Sequence, residues 1–174
     1  MNPLNHHVSI TRRVRRLGSG ILPAYHNYCR IRNLHSRLAQ MMANSNINDQ
    51  QLFLFMNAYN VDLGNSPLAH CKRPLVKALQ HNRSKAVIHA LLNRGAKVTS
   101  PEHSFQPLEV GVKHGCSEGI LRAIWQKGGH VSYRLLDMMK HLDPEELKYS
   151  KAFRQEVMNA ISQHTIERLG WLGV

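Results

Sequence analysis

The chain contains an internal repeat with a period of 33 residues. Between the windows 74–99 and 107–132, seven of the 26 aligned positions are identical, and many of the others keep their size or polarity. A period of this length is typical of stacked helix-turn-helix units, because each unit cannot bury its apolar face alone. The repeat therefore predicts an all-α solenoid, and it favours a function that lies in a surface over one that lies in a catalytic pocket.

Local signals in both copies predict where the helices begin and end. Pro74 and Pro107 suit the first turn of a helix, where the missing N–H costs nothing. Gly95 and Gly128 can adopt the left-handed conformation that ends a second helix. From these signals and the apolar spacing we expect four helices, over 74–81, 84–93, 107–114 and 117–126.

Both copies resemble ankyrin repeats; they read RPLVKALQHNRSKAVIHALLNRGAKV from Arg73 and QPLEVGVKHGCSEGILRAIWQKGGHV from Gln106. In that family a Pro-Leu pair opens a short first helix, a second helix with paired aliphatic residues follows, and a Gly-Ala-x-Val motif leads into a projecting finger. The family tetrapeptide Thr-Pro-Leu-His reads Arg-Pro-Leu-Val and Gln-Pro-Leu-Glu here, so the Thr and His that hydrogen-bond between repeats are absent. The resemblance implies a protein-binding module without catalytic activity or a cofactor.

Residues 21–174 are predicted to form one domain around these repeats. Upstream, apolar residues such as Leu38 and Leu52 indicate a further helical pair, and Ala58–Asp62 mimics Gly95–Thr99 at an offset of 37 residues. The predicted parts are a degenerate repeat over 34–61, clear repeats over 73–99 and 106–132, and a helical cap over 133–174.

The predicted cap contains two helices. Ser132 is expected to cap a helix over 133–142. Asp143 carries the strongest helix-start signal in the chain, because a capping side chain is followed by Pro144 and then by acids in the first turn. We therefore expect the last helix to begin there and to close the stack. Its apolar positions are Leu147, Phe153, Val157, Ile161 and Ile166.

Positive charge is concentrated at the N terminus of a chain whose formal net charge is +12. The first 45 residues hold seven arginines, whereas the first acid is Asp49. A run of arginines followed by Gly18-Ser19-Gly20 predicts a basic arm over 1–20 that ends in a flexible break. This run consists of Arg12, Arg13, Arg15 and Arg16. Four interpretations remain open: contact with nucleic acid or anionic membrane, an acid-poor transit peptide, a bacterial secretion signal, or a solvated tail that contributes only solubility.

The cysteine content indicates a reducing compartment, with the cytosol as the simplest location. Cys29, Cys71 and Cys116 are odd in number and widely spaced, unlike the cysteines of a disulfide framework. No run approaches the ~20 consecutive apolar residues of a transmembrane helix, so no such segment is expected. Short ankyrin proteins with basic N termini are frequent among secreted effectors of intracellular bacteria and viral host-modulating proteins. The resemblance therefore adds secretion into a host cell as an alternative.

The twelve histidines do not have the spacing of a metal site. His6-His7 has no Cys or carboxylate nearby, and His70-Cys71 lacks the second pair that a structural zinc site requires. Nor does a visible third group make Cys71 a nucleophile. The sequence also lacks a phosphate-cradling glycine loop, a nucleophile elbow and a metalloprotease helix. We therefore expect no metal, no cofactor and no enzymatic activity.

The resemblance places partner contacts on the fingers and on the exposed side of the first helices, which together form the concave face. The candidate residues are Arg73, Lys77, Gln80 and His81 in the first clear repeat, Val110, Lys113 and His114 in the second, and Glu102, His103 and Phe105 in the finger between them. Phe105 would be an apolar anchor, and the basic residues would favour a partner protein with an acidic surface. The alternative hypothesis treats the repeats as a scaffold for weak contact between the basic arm and nucleic acid or anionic lipid.

Overall fold

The computed structural model describes residues 18–64, 72–99, 106–143 and 148–171. These residues form eight helices and no strand, which confirms the all-α prediction for this part of the chain. The helices are α1 (Gly18–Ala43), α2 (Asp49–Ala58), α3 (Pro74–Gln80), α4 (Lys85–Asn93), α5 (Pro107–Lys113), α6 (Glu118–Gln126), α7 (Tyr133–Leu142) and α8 (Lys151–Trp171).

The helices pack as four consecutive pairs in two layers. Within the pairs, α1 contacts α2, α3 contacts α4, α5 contacts α6 and α7 contacts α8. One layer consists of the first helices, since α1 contacts α3, α3 contacts α5 and α5 contacts α7. The second layer consists of α2, α4 and α6, which also contact one another in that order. Apolar residues from all four pairs therefore join a single core.

The four helices predicted within the clear repeats are confirmed, and each boundary lies within one residue of the expected one. Ser84 caps α4, because its side chain accepts a hydrogen bond from the N–H of Val87 at 3.3 Å. Gly95 and Gly128 have positive φ angles of 78° and 89°, as the predicted helix ends require. The helix predicted over 133–142 is also confirmed, with Ser132 accepting the N–H of Leu135.

The segment predicted as a degenerate repeat contains the helical pair α1 and α2, but its register differs from the predicted one. Asn60 follows α2 with φ 43°, as Gly95 follows α4 with φ 78°. In both cases the N–H of the next residue donates to the carbonyl five residues earlier, at 3.2 Å and 3.1 Å. Asn60 therefore takes the part of the glycine, because Asn tolerates the left-handed region. The offset is 35 residues, so the prediction that paired Ala58–Asp62 with Gly95–Thr99 is wrong by two.

The first helix of this repeat is much longer than the sequence predicted. α1 begins at Gly18, so Gly18-Ser19-Gly20 is helical and the predicted flexible break is wrong. The predicted boundary between arm and domain, at residue 20, consequently falls inside α1. Glycine costs only about 1 kcal/mol in a helix interior, and a helix already nucleated downstream can extend through it. The arginine run at 12–16 lies outside the described residues.

The last helix begins at Lys151 and not at Asp143. The Asp143 carboxylate accepts hydrogen bonds from the N–H groups of Lys148 and Tyr149 and from the Arg154 guanidinium, the last at 2.7 Å. Asp143 therefore connects the end of α7 to the residues around the start of α8, and α8 itself does not begin at Asp143. Residues 144–147, with Leu147, and the Ile166 side chain lie outside the described part. Phe153, Val157 and Ile161 are buried, as predicted for the closing helix.

The 33-residue period continues into this last helix. Ser150 accepts the N–H of Phe153 at its start, and it follows Ser117 by the same interval that separates Ser117 from Ser84. The central core position shows the same spacing: Leu91, Ile124 and Val157 are all 0% exposed. α8, within the predicted cap, therefore begins at the position that the 33-residue period gives for a second helix.

One repeat position ties each helical pair to the pair before it. The Arg83 guanidinium donates to the main-chain carbonyls of Met41, Met42, Asn44 and Ile47 at the end of α1. Cys116, 33 residues later, donates its thiol weakly to the Leu79 carbonyl at 3.8 Å. Tyr149, after the same interval, donates its hydroxyl to the Cys116 carbonyl at 3.2 Å. Burial raises the pKa of Tyr149 to about 12, so this hydroxyl keeps its proton at neutral pH.

Candidate interaction surface

Two histidines mark equivalent ends of α3 and α5. His81 is exposed and His114 is half-buried, and both follow the last residue of a first helix. Burial, the charge of Lys113 and the charge of His81 lower the pKa of His114, in that order of importance. The closeness of the two rings, expected from their spacing, stays a prediction.

Basic and amide side chains surround this pair. Lys77 is half-buried and donates to the Gln80 side-chain oxygen at 3.0 Å, which fixes both groups on α3. Lys113 is exposed at the matching end of α5. We define the first-helix face as a set of five residues on α3, on α5 and at the ends of these two helices. The first-helix face consists of Lys77, Gln80, His81, Lys113 and His114.

The only acid on α3 and α5, both of which are described along their whole length, points into the structure. Glu109 is 4% exposed. One of its oxygens accepts the N–H of Gln106 at 3.1 Å, and the other accepts the Ser132 hydroxyl at 2.9 Å. Glu109 therefore links α5 to the start of α7 and offers no negative charge to a partner. The first-helix face thus has basic groups and histidines without an exposed carboxylate on either helix.

Val110 does not belong to this surface, and the prediction that it contacts a partner is wrong. Its side chain is 6% exposed and lies in the core. The matching residue on α3, Lys77, is half-buried. α5 is packed between α3 and α7, so an apolar side chain at this position is covered by neighbouring helices. An alignment of the two repeats alone could not show that Val110 is covered whereas Lys77 is partly exposed.

Arg73 is placed at the edge of a second basic region. Its guanidinium donates to the Thr99 carbonyl at 3.3 Å, which connects the start of α3 to the segment after α4. An open groove beside this contact is lined by Arg73, Lys97, Thr99 and Lys127, among others. Sequence reasoning missed Lys97 and Lys127. Two sequence features could have indicated them. Lys97 is part of the Gly-Ala-Lys-Val motif, and Lys127 is the basic residue directly before the helix-ending Gly128.

The remaining candidates lie outside the described residues. These are Glu102, His103 and Phe105 of the finger, and Arg12, Arg13, Arg15 and Arg16 of the basic arm. The finger role of the first three stays a prediction.

The chemistry available in the described part is that of hydrogen bonds and charge. Within that part, no three His, Cys, Asp or Glu side chains are grouped closely enough to hold a metal ion. Cys116 is buried, and burial raises the pKa of its thiol, which disfavours the reactive thiolate. Cys71, the cysteine beside a histidine, lies outside the described residues.

Comparison of the chain with family models, with curated proteins and with solved structures gives no match. A search of the described helices finds none that is both long and apolar enough to cross a membrane.

Proposed function

We propose that this chain is an ankyrin-like solenoid that binds an acidic segment of another protein through its first-helix face. The observation that carries the proposal is the arrangement of Lys77, His81, Lys113 and His114 on two neighbouring helices whose only acid is buried. Basic groups that recur on successive helices suit an extended partner, because each repeat adds the same kind of contact. Opposite charge would also raise the association rate.

Three features support the ankyrin-like part of the proposal. The second helices follow a period of 33 residues, the helices form two layers, and glycines in the left-handed conformation follow α4 and α6. The chain departs from the family at the fourth residue of the Thr-Pro-Leu-His tetrapeptide, where the second copy has Glu109. That residue bonds to Ser132 at the next helical pair, so a contact between pairs is kept with different chemistry.

The setting in which the protein acts follows from the resemblance and from the basic N terminus. A short ankyrin-like protein of this charge fits an effector that is delivered into a host cell and binds a host protein in the reducing cytosol. Binding without catalysis is the activity we propose for it.

Charge reversal on the first-helix face tests the proposal. The full chain captures interacting proteins from a host lysate, and one captured protein is purified and titrated against the parent chain and two variants. Lys77→Glu with Lys113→Glu should weaken binding roughly tenfold or more, because two attractive contacts become repulsive. Lys85→Glu is the matched control, since Lys85 is exposed on α4 in the other layer. Equal affinity of all variants for the purified partner would place the binding site elsewhere.

A further inference from the structure

Residues 25–33 of α1, here called the half-helix, precede the packed part of that helix. α1 has 26 residues, whereas α3, against which it packs, has seven. Among residues 25–43, whose side chains are described, the buried ones begin at His35 and continue through Leu38 and Met42. In contrast, every residue from 25 to 33 is exposed or half-buried. This half-helix contributes little to the core, so its side chains are available for another role.

Two tyrosines and an arginine share one face of this half-helix. Tyr25 and Tyr28 are 39% and 47% exposed, and Arg32 is exposed as well. Their spacings of three, four and seven residues bring them to the same side of the helix. A hydrogen bond with Cys29 is the main cause of the raised pKa of Tyr25. The charge of Arg32 lowers this pKa, and the charge of Tyr28 raises it. The side chains are therefore close together.

Every charged residue of α1 itself is positive. α1 carries Arg30, Arg32 and Arg37, and the first acid of the chain, Asp49, comes after its end. A helix with this charge attracts a phosphate backbone and releases the counterions of that backbone on binding. Arg32 is exposed on the same side of the helix as the two tyrosines, so its charge can reach such a ligand.

The exposed residues favour nucleic acid over a membrane surface. A helix that lies in a bilayer interface buries Leu, Phe or Trp among the lipid chains. From Tyr25 to the end of α1, the exposed residues are Tyr, His, Asn, Arg and Gln only. Tyrosine rings beside arginines are instead the combination that holds single strands, since the rings stack on bases of any sequence.

We propose that Tyr25, Tyr28 and Arg32 form a binding face for single-stranded nucleic acid. The two rings stack on successive bases and the guanidinium contacts a phosphate. This site is separate from the first-helix face, so it stands or falls independently of the protein-binding function.

Fluorescence anisotropy of the full chain with a labelled oligo(dT) of ~12 nucleotides tests this proposal. Affinity should fall steeply between ~50 and ~200 mM salt. Tyr25→Ala with Tyr28→Ala should weaken binding roughly tenfold or more. Arg32→Gln should weaken it and reduce the salt dependence by ~0.7 in the log–log slope. Tyr133→Ala is the matched control, because Tyr133 is 65% exposed on α7, and it should leave the affinity unchanged.

Three results would overturn the proposal. The first is oligo(dT) affinity that is the same for the double tyrosine variant and the parent chain. The second is binding to phosphatidylserine vesicles without binding to oligo(dT), which would identify a membrane contact. The third is a loss of binding when Arg12, Arg13, Arg15 and Arg16 become Gln, together with no effect of the tyrosine substitutions. Circular dichroism verifies that each variant keeps the parent helix content.

Discussion

At the scale of single residues, His35 is the clearest case of a polar group whose state depends on packing. It is 2% exposed on α1, and its Nε2–H donates to the Asp62 carbonyl at 2.8 Å. Burial is the main cause that lowers the pKa of His35, and the bond to Asp62 offsets this only in part. The His35 ring is therefore neutral in the folded state. Its hydrogen bond to the Asp62 carbonyl connects α1 to the segment after α2.

This residue should make the fold sensitive to acid. Because the folded pKa of His35 lies below the unfolded value of about 6.5, its contribution is complete above that pH and is lost as the pH falls through the folded pKa. Urea unfolding should therefore show a midpoint that falls on acidification below about pH 6.5. His35→Gln can keep the donor without the titration, and it should flatten this dependence. His26→Gln, at an exposed position on α1, should behave as the parent chain does. An unchanged pH dependence in His35→Gln would disprove the role.

At the scale of helices, the end of α1 depends on a side chain from the next pair. The last carbonyls of a helix have no partner within it, and the last turn of α1 has no basic residue of its own. Arg83 supplies donors to the carbonyls of Met41 and Met42 in that turn, at 3.0 Å and 2.8 Å, and to the carbonyls of Asn44 and Ile47 in the loop that follows. The helix end and the contact between two pairs are thus stabilised by one guanidinium.

Arg83→Ala should lower the free energy of unfolding by about 2–3 kcal/mol, because several carbonyls lose a charged donor. Arg83→Lys should recover only part of this, since one ammonium cannot reproduce the planar arrangement of donors. Urea unfolding measures both. Lys85→Ala, at an exposed position two residues later, is the control and should stay within about 0.5 kcal/mol of the parent. If the stability of Arg83→Ala also stays within about 0.5 kcal/mol of the parent, the carbonyl contacts do not stabilise the fold.

At the scale of the whole molecule, stability should be shared among neighbouring pairs. Leu91 and Ile124 hold the same position in α4 and α6, both are 0% exposed, and those two helices contact each other. Units that cannot bury their apolar faces alone gain stability mainly from such interfaces. Damage to one pair should therefore affect the unfolding of the entire chain.

Leu91→Ala or Ile124→Ala should each cost ~2–5 kcal/mol, because a fully buried side chain leaves a cavity. Urea unfolding followed by circular dichroism should show the loss as a shift of one common transition. Leu54→Ala removes the same atoms at a position that is 62% exposed, so it should be nearly neutral. A near-neutral effect at either core position would contradict the packing of the second helices.

The sequence by itself determined the features that depend on a few neighbouring residues. The starts of α3 and α5 follow from Pro74 and Pro107, and the ends of α4 and α6 follow from Gly95 and Gly128, because these residues restrict or permit backbone conformations locally. The start of α8 was equally readable, since Ser150 continues the interval of the earlier serines. The helix-start signal at Asp143 led to the wrong prediction, although the 33-residue period indicated a start at Ser150.

Only the tertiary structure decided features that depend on distant partners. Asp143 looks like a helix cap from its neighbours, but its carboxylate accepts a hydrogen bond from Arg154, eleven residues later, and the last helix begins at Lys151. Val110 and Lys77 occupy one repeat position on helices that both pack between two others, yet Val110 is buried in the core and Lys77 is only half-buried. The exposure of a side chain depends on which element packs against its helix, and the residues next to it in the sequence do not specify that element.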